Sequence, residues 1–232
     1  MKIISWNVRG LGNPRAFQAL KKIIRLHGAQ IVFLCETKVS VVQMNGIANK
    51  LNFDSCFAVN CSGRGGGLAL LWSSESRVQI KSFSTHHIDA EILTTSGRRM
   101  RITGVYSHPE MGQKKHTWTL LRRLAGLSFS PWLCFGDFNE VLHPGEKRGG
   151  NDRNVNLIND FSEALKDCDL KDVGFKGYPF TWSNERYGPG FVEERLDRFV
   201  CNKEWSEIFV DGEASNLDTW FSDHCPVLME VQ

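Results

Sequence analysis

The order in which short apolar segments and helical patterns alternate most constrains the fold of this chain. Runs rich in Val, Ile, Leu and Phe, which are typical of buried β-strands, occur from the first residues to the last. Runs with apolar residues three and four positions apart, which are typical of amphipathic helices, separate several of these strand segments. No Pro-, Gly- or Ser-rich linker and no repeat divides the 232 residues. The pattern predicts a single α/β domain over residues 1–232, with helices covering large sheets.

Start and stop signals place the first two helices. Asn13 precedes Pro14 at the beginning of an amphipathic pattern that ends at Gly28. Ser40 is a suitable N-cap for the next helix. Two further helices are predicted at 113–126 and 155–168. Strands are predicted at 2–8, 29–34, 53–59, 67–72, 77–83, 88–94, 100–106, 131–136, 180–183, 194–200 and 226–231. The glycine cluster at 63–67 lacks the Lys-Ser/Thr of a phosphate-binding loop, so it predicts a sharp turn between strands.

Composition excludes several classes of protein. A net charge of only +2 excludes binding of nucleic acid through overall charge, so such binding requires a local patch. No apolar run approaches the roughly 18–20 residues of a membrane span, and the N-terminus lacks the pattern of a signal peptide. The seven cysteines are odd in number and lie mostly among apolar neighbours, which predicts reduced thiols. We therefore expect a nuclear or cytoplasmic protein with no membrane partner.

Polar side chains follow several of the predicted strands, where functional groups of α/β proteins tend to lie. Asn7, Glu36 and Tyr106 each end such a strand, and Asp137 and Asn139 follow another. Taken singly, each is more typical of a turn or a helix cap.

The C-terminal part of the chain adds the pair Asp223 and His224, and Asp197 as a partner carboxylate. Together with the strand-end residues they offer oxygen ligands for Mg²⁺, a group to position water and a donor to stabilise charge. That inventory indicates metal-assisted hydrolysis, although spacing alone does not bring the residues together.

Five short strings carry a family resemblance across nearly the whole chain. In order they are SWNVRG at 5–10, LCETK at 34–38, GDFN at 136–139, RLDR at 195–198 and SDHCP at 222–226. They resemble the endonuclease/exonuclease/phosphatase superfamily. The strings EVL at 140–142 and GYPFTWSN at 177–184 resemble its branch of endonuclease domains from plant non-LTR (LINE-type) retrotransposons.

This resemblance implies a DNase I-like fold: a four-layer α/β sandwich of two mainly antiparallel sheets packed face to face, with helices outside. It implies a monomer that nicks duplex DNA by cleaving a phosphodiester with Mg²⁺ or Mn²⁺. In that branch the domain is joined to a reverse transcriptase. We therefore expect either an excised domain or a short reading frame descended from such an element.

The resemblance also implies roles by motif position. Glu36 would be the main metal carboxylate, with Asn7 and Asp223 close to the metal and the phosphate.

The remaining motif residues would act on water and phosphate. Asp137 would orient or deprotonate the attacking water, and Asn139 would hold the phosphate and Asp137 in register. His224 would donate to a phosphate oxygen while Asp197 accepts its other N–H. Tyr106 would lie against the scissile phosphate.

DNA contacts are expected from a hairpin at 184–193, which enters the DNA groove in the retrotransposon branch. Arg186 and Tyr187 are its expected groove contacts, and Thr181 matches a DNA-facing threonine. Trp182 either stacks on DNA or belongs to the core. Basic residues in loops of the same face are expected to neutralise phosphates: Arg9, Lys38, Arg64, Lys147, Arg148 and Arg198.

Three other functions stay open at this point. Two lie within the superfamily: an abasic-site nuclease, and a phosphatase acting on lipid or inositol phosphates. The third is a noncatalytic module that binds nucleic acid or a protein on the same scaffold.

Overall fold

Two six-stranded β-sheets form the centre of the protein in a computed structural model that describes residues 1–62, 65–94, 97–127, 130–218 and 221–231. The strands are β1 (Lys2–Asn7), β2 (Ile31–Cys35), β3 (Ser55–Ser62), β4 (Gly65–Trp72), β5 (Arg77–Ser84), β6 (His87–Leu93), β7 (Arg99–Tyr106), β8 (Trp132–Asp137), β9 (Lys147–Arg148), β10 (Lys171–Asp172), β11 (Trp182–Ser183), β12 (Glu193–Glu194), β13 (Asp197–Cys201), β14 (Glu213–Asn216) and β15 (Val227–Glu230). The helices are α1 (Pro14–His27), α2 (Val41–Lys50), α3 (Lys114–Ala125), α4 (Val155–Asp167) and α5 (Lys203–Ile208).

Strand order makes each large sheet mixed but mainly antiparallel. The first sheet runs β14-β15-β1-β2-β4-β3 and the second β10-β13-β8-β7-β6-β5. Each contains one parallel pair, β1 with β2 and β7 with β8. Parallel neighbours end at the same edge of a sheet. The residues that follow β1 and β2 therefore lie close together in the first sheet, and those at the ends of β7 and β8 lie close together in the second. A small sheet, β11-β12-β9, lies beside the two large ones.

The main core lies between the two sheets. Phe33 of β2 packs edge-to-face on Phe135 of β8, with ring centroids 5.8 Å apart. Gly104 of β7 permits this close approach, since a Cβ there would lie 2.3 Å from the Phe33 ring. Any larger residue at 104 would separate the sheets.

The outer faces of the sheets are covered by helices. One apolar cluster packs α1 and α2 on the first sheet, and another packs α3 and α4 on the second. The predicted caps are confirmed: the Asn13 side chain accepts from Arg15 N, and Ser40 forms a capping box with Gln43. The four layers confirm the predicted DNase I-like fold.

Several boundaries differ from the prediction. The segment predicted as one strand at 194–200 is divided between β12 and β13. Arg195 N donates to the Glu146 carbonyl, while the Leu196 carbonyl accepts from Phe138 N, so the chain passes here from the small sheet to the second large one. Sequence patterns did not predict β10, β14 or α5, which are short. Part of the turn predicted at 63–67 falls on residues 63 and 64, which lie outside the described residues, while residues 65–67 belong to β4, which pairs with β3.

Two expectations from composition concern the state of the cysteines and the lack of a membrane span. All seven cysteines are free thiols. Among the described residues, no helix has the length and apolar character needed to cross a membrane.

Candidate active site

Asn7, at the end of β1, links the two large sheets. Its amide nitrogen lies 3.1 Å from Glu36 Oε1 of the first sheet and 2.9 Å from Asp137 Oδ2 of the second. The same nitrogen is 3.5 Å from His224 Nε2. Asn7 is 1% exposed, so one buried amide holds the side chains that the strand ends bring together.

Glu36 follows β2 in a left-handed conformation (φ 51°) that turns its carboxylate into the cleft. Tyr106 donates its hydroxyl to Oε1 at 3.0 Å, and Lys38 Nζ lies 2.9 Å from Oε2. Burial opposes ionisation of Glu36, but hydrogen bonds from Lys38 and Asn7 outweigh it and hold its pKa below the ordinary value. The carboxylate is therefore ionised at neutral pH.

Asp223 faces the same point from the C-terminal segment. Arg9 Nε lies 3.4 Å from Asp223 Oδ1, and Arg9 Nη1 lies 3.8 Å from Glu36 Oε1. One guanidinium therefore lies between the two carboxylates, and its side chain is 49% exposed and able to move away. Carboxylate oxygens are ligands that Mg²⁺ and Mn²⁺ prefer, so Glu36 and Asp223 fit such an ion. Asn7 presents its amide nitrogen to Glu36, and its Oδ1 accepts from Arg9 N, so its expected place as a metal ligand stays a prediction.

A chain of three buried side chains completes the cleft, with a hydrogen bond between two of them. His224 Nδ1 is 2.8 Å from Asp197 Oδ2, and its Nε2 is 3.8 Å from Asp137 Oδ2. Burial alone would lower the pKa of His224, but Asp197 and Asp137 outweigh it and raise this pKa to about 9. Burial raises the pKa of Asp137 to about 7, with His224 opposing the rise and Asp197 adding to it.

The ligand atoms of Asp137, Asp197 and His224 all lie within 4.8 Å of one another, which is a second geometry that could hold a metal ion. A protonated imidazole has no lone pair to offer a metal, and Asp197 already accepts from its Nδ1. We therefore interpret this cluster as a chain of polar side chains, with His224 hydrogen-bonded to Asp197 and facing Asp137, and the Glu36 side of the cleft as the metal position.

Asn139 fixes the Asp137 carboxylate from the other side. Its backbone N–H donates to Asp137 Oδ1 at 2.9 Å, and its side-chain amide donates to the Ser107 carbonyl. Gly136 gives the strand its turn into this loop at φ 138°, where a Cβ would lie 1.9 Å from the Val105 carbonyl oxygen.

Tyr106 closes the cleft beside Glu36. Burial and the nearby carboxylates raise its pKa far above the ordinary value, so it stays a neutral phenol that donates. All eight predicted site residues therefore surround one cleft: Asn7, Glu36, Tyr106, Asp137, Asn139, Asp197, Asp223 and His224.

Three residues support the site through hydrogen bonds that the sequence did not predict. Ser222 donates its hydroxyl to the Asn7 carbonyl and accepts from His224 N. The indole of Trp6 donates to the His224 carbonyl, and that of Trp182 donates to Asp223 Oδ2. Each lies within or beside a motif string, which is the signal that could have identified it. Trp182 is half-buried and packs on a small apolar cluster, so part of its ring belongs to the core, while stacking on DNA stays a prediction.

The residues predicted to contact DNA differ in how far their side chains are exposed to solvent. Arg9 and Lys38 reach the mouth of the cleft, and the hairpin of β11 and β12 exposes Arg186 and Tyr187, the latter by 98%. Lys147 and Arg148 pair with Glu194 and Glu193. Arg64 lies outside the described residues.

Two of the predicted DNA contacts are wrong. Thr181 is fully buried, and its hydroxyl accepts from the backbone N–H groups of Leu196 and Asp197. It therefore supports the strand that carries Asp197.

Arg198 is also buried, and its guanidinium pairs with Glu146 and Asp172 at 2.7 Å. Neither Thr181 nor Arg198 has surface with which to touch DNA.

Solved structures with the same fold extend over the whole chain. The endonuclease domain of TRAS1, a telomere-specific non-LTR retrotransposon, has 14% sequence identity and a TM-score of 0.73, covering 100% of this chain and 98% of that one. The AP endonuclease LMAP from Leishmania major has 17% identity and a TM-score of 0.75, covering 98% and 86%. A variant of the 3′ phosphatase NExo from Neisseria, bound to a product DNA hairpin, has 17% identity and a TM-score of 0.73, covering 100% and 99%.

Among curated protein sequences no match is found. A family model matches residues 4–224, nearly the full length and every residue of the cleft. The chain therefore belongs to the Endonuclease/Exonuclease/phosphatase family.

Proposed function

We propose that this protein is a Mg²⁺-dependent endonuclease of the retrotransposon type, which nicks duplex DNA by hydrolysing a phosphodiester. Members of its family are hydrolases that act on phosphodiester bonds. The observation that carries the proposal is the single polar network across the cleft. The Asn7 amide contacts the metal-binding side at Glu36 and the Asp137–His224–Asp197 chain on the other.

The metal-binding side is formed by Glu36 and Asp223, with Asn7 between the sheets. Mg²⁺ or Mn²⁺, when bound there, supplies positive charge that offsets the negative charge of the phosphate. Arg9 lies beside both carboxylates and Lys38 pairs with Glu36, so these two basic side chains place positive charge at the same position. With the metal ion bound there, both basic side chains become available for DNA phosphates.

Asp137 is the group best placed to orient and deprotonate water. Its Oδ1 accepts from Asn139 N and its Oδ2 from Asn7, so the carboxylate has one fixed orientation. A pKa near neutrality is the property that general acid–base catalysis requires.

His224 supplies the charged donor on the opposite side of the phosphate. Its pKa of about 9 keeps the imidazolium form at neutral pH, and Asp197 fixes the ring through Nδ1. Nε2 is then the N–H that points into the cleft, where a water-excluding site strengthens a bond to phosphate oxygen. The Tyr106 hydroxyl lies against the same position from the Glu36 side.

DNA binding is assigned to the exposed hairpin and the cleft mouth. Tyr187 and Arg186 project from the hairpin. Hydrogen bonds of Trp182 and Thr181 connect the base of this hairpin to Asp223 and Asp197 of the cleft. The likeness to the TRAS1 endonuclease domain supports the retrotransposon type. A monomer that acts on nuclear DNA, either as a domain of a reverse transcriptase or as a short reading frame descended from one, is part of the same proposal.

Three substrates separate this proposal from its alternatives: supercoiled plasmid, a duplex with one abasic site, and a duplex ending in a 3′ phosphate. We expect Mg²⁺-dependent nicking of the intact plasmid. Cleavage confined to the abasic duplex would support an AP endonuclease, and release of phosphate alone would support a phosphatase.

Glu36→Ala tests the noncatalytic module. If the protein is a nuclease, this variant loses Mg²⁺ binding and nicking. If it is a noncatalytic module, the wild type shows no turnover and the variant keeps its DNA affinity.

A further inference from the structure

A buried ion pair that takes no part in the proposed chemistry lies directly behind the catalytic loop 137–140. Lys114 begins α3, and its side chain is 2% exposed. Its ammonium lies 2.7 Å from Glu140 Oε2, and Glu140 is fully buried. The same ammonium donates to the main-chain carbonyl of Asn139.

Stability alone is a weak reason for such a pair. Removing two charges from water costs about as much as their attraction returns, and apolar pairs of similar volume are often neutral or stabilising replacements. The contact with the Asn139 carbonyl gives Lys114 a second, more specific role.

That carbonyl belongs to a residue whose backbone orients Asp137. Asn139 adopts a left-handed conformation (φ 52°), which is uncommon for residues other than glycine. Its N–H donates to Asp137 Oδ1 at 2.9 Å. The Lys114 ammonium therefore holds the carbonyl of the same residue whose N–H holds the catalytic carboxylate.

We infer that Lys114 is a positioning residue: through the Asn139 carbonyl it keeps the loop in the conformation that orients Asp137, and Glu140 holds its ammonium in place. This inference rests on the proposed function, because it assigns Asp137 to the activation of water. It adds a residue on α3, far from any of the motif strings, to the machinery of the cleft.

Three variants separate positioning from stability. Lys114→Met removes the donor and leaves Glu140 with the more distant Arg153, whose Nη1 lies 3.8 Å from Oε1, as its only ionic partner among the described residues. Glu140→Gln keeps the shape of the pair and serves where the first variant fails to fold. The double variant Lys114→Met, Glu140→Leu replaces the pair by apolar side chains, which restores stability but not the bond to Asn139.

The chain offers a matched control in Asp89→Asn. Asp89 and Arg101 form another buried pair, 2.8 Å apart, at the opposite end of β7 from Tyr106. This control should lower the melting temperature and leave kcat for plasmid nicking unchanged.

We expect the double variant to melt near the wild-type temperature and to lose about tenfold in kcat, with KM for DNA unchanged, as is typical for residues that orient a catalytic group. Glu140→Gln should lower kcat by a smaller factor in the same way. A double variant with wild-type kcat, or one that changes KM alone, would overturn the inference.

Amide exchange of Asn139, followed by NMR, makes this test independent of nicking. We expect the exchange rate to rise in the double variant and to stay at the wild-type value in Asp89→Asn. If the wild-type protein nicks no substrate, the proposed function fails while this exchange still decides whether Lys114 holds the loop. An unchanged exchange rate in the double variant would contradict the inference.

Discussion

His224 Nδ1 lies 2.8 Å from Asp197 Oδ2, and Asp197 stands opposite Asp137 where strand β13 pairs with β8 in the second sheet. One imidazole thus stands between two buried carboxylates, with a hydrogen bond to one and its Nε2 3.8 Å from the other. This arrangement keeps a proton on His224 and presents Nε2 to the cleft. It explains how a cleft rich in acidic residues can also supply a charged donor to a phosphate.

Removing that donor should slow the chemical step. We expect His224→Ala to lower kcat for plasmid nicking by about 10²–10³-fold, the usual effect of losing a donor to a developing negative charge. Asp197→Asn should cost about 10–100-fold, since the ring stays but loses its orienting carboxylate. Steady-state kinetics test both variants, and a His224→Ala protein with wild-type kcat would contradict the assignment.

The nicking rate should have a bell-shaped dependence on pH. Asp137 acts as a base only when deprotonated, so kcat/KM should rise as pH increases through about 7. His224 donates only when protonated, so kcat/KM should fall as pH increases through about 9. His224→Asn should abolish the alkaline limb. If that limb persists in the variant, another group is responsible for it.

Lys38 should compete with the metal ion for Glu36. Its ammonium lies 2.9 Å from the carboxylate, on a side chain that is partly exposed. We expect Lys38→Met to tighten Mg²⁺ binding by about 2–5-fold, as measured by calorimetry without DNA. Lys2→Met is the control, because Lys2 pairs with Glu230 on another part of the surface and should leave Mg²⁺ affinity unchanged. Weaker Mg²⁺ binding in Lys38→Met would argue against a metal at Glu36.

The hairpin should affect DNA binding without affecting stability. Tyr187 is 98% exposed, so Tyr187→Ala should change the free energy of unfolding by no more than about 0.5 kcal/mol. The same variant should weaken binding to duplex DNA and alter the distribution of nicks. Arg186→Ala should reduce the slope of log affinity against log salt by about 1. Salt-dependent binding curves indistinguishable from wild type in both variants would place the DNA elsewhere.

Arg198 should behave as a structural residue. Arg198→Met leaves Glu146 and Asp172 with one basic partner fewer in a buried network, which costs about 3–5 kcal/mol of stability. Denaturant unfolding measures this loss, and DNA affinity of the folded fraction should equal that of wild type. A stable variant that binds DNA weakly would instead support the original prediction that Arg198 contacts DNA.

Local signals predicted much of the fold. Asn13, Ser40 and Gly28 mark the ends of their helices through capping that needs no distant partner. The buried strands β2 and β8 are almost continuous apolar runs, and β1 and β7 are rich in apolar, β-branched and aromatic residues, which made all four recognisable within about two residues. The short strand β10 has only two residues, so no pattern could distinguish it from a loop.

The residues of the candidate site could be predicted together from the sequence, but the residues that hold them in place could not. Glu36, Asp137 and His224 lie in strings that resemble a known family. Glu36 follows a strand of the first sheet and Asp137 ends a strand of the second, and Asn7 joins the two across the sheets. Thr181 and Arg198 were misassigned because their partners are distant in sequence: Glu146 lies 52 residues from Arg198. Burial of a charged side chain depends on such long-range pairing, which a single motif does not contain. Lys114 carries no signal at all until α3 is packed against the loop.

Supercoiled-plasmid nicking by the wild type and by Asp137→Ala tests the central claim most directly, with Mg²⁺ and with EDTA. Asp137→Ala leaves Glu36 and Asp223 in place, so the variant should still bind Mg²⁺ by calorimetry. We predict nicks that require Mg²⁺, disappear with EDTA and fall by about 10²–10³-fold or more in Asp137→Ala. An intact plasmid after incubation of wild-type protein with bound Mg²⁺, or nicking by Asp137→Ala at the wild-type rate, would contradict the account.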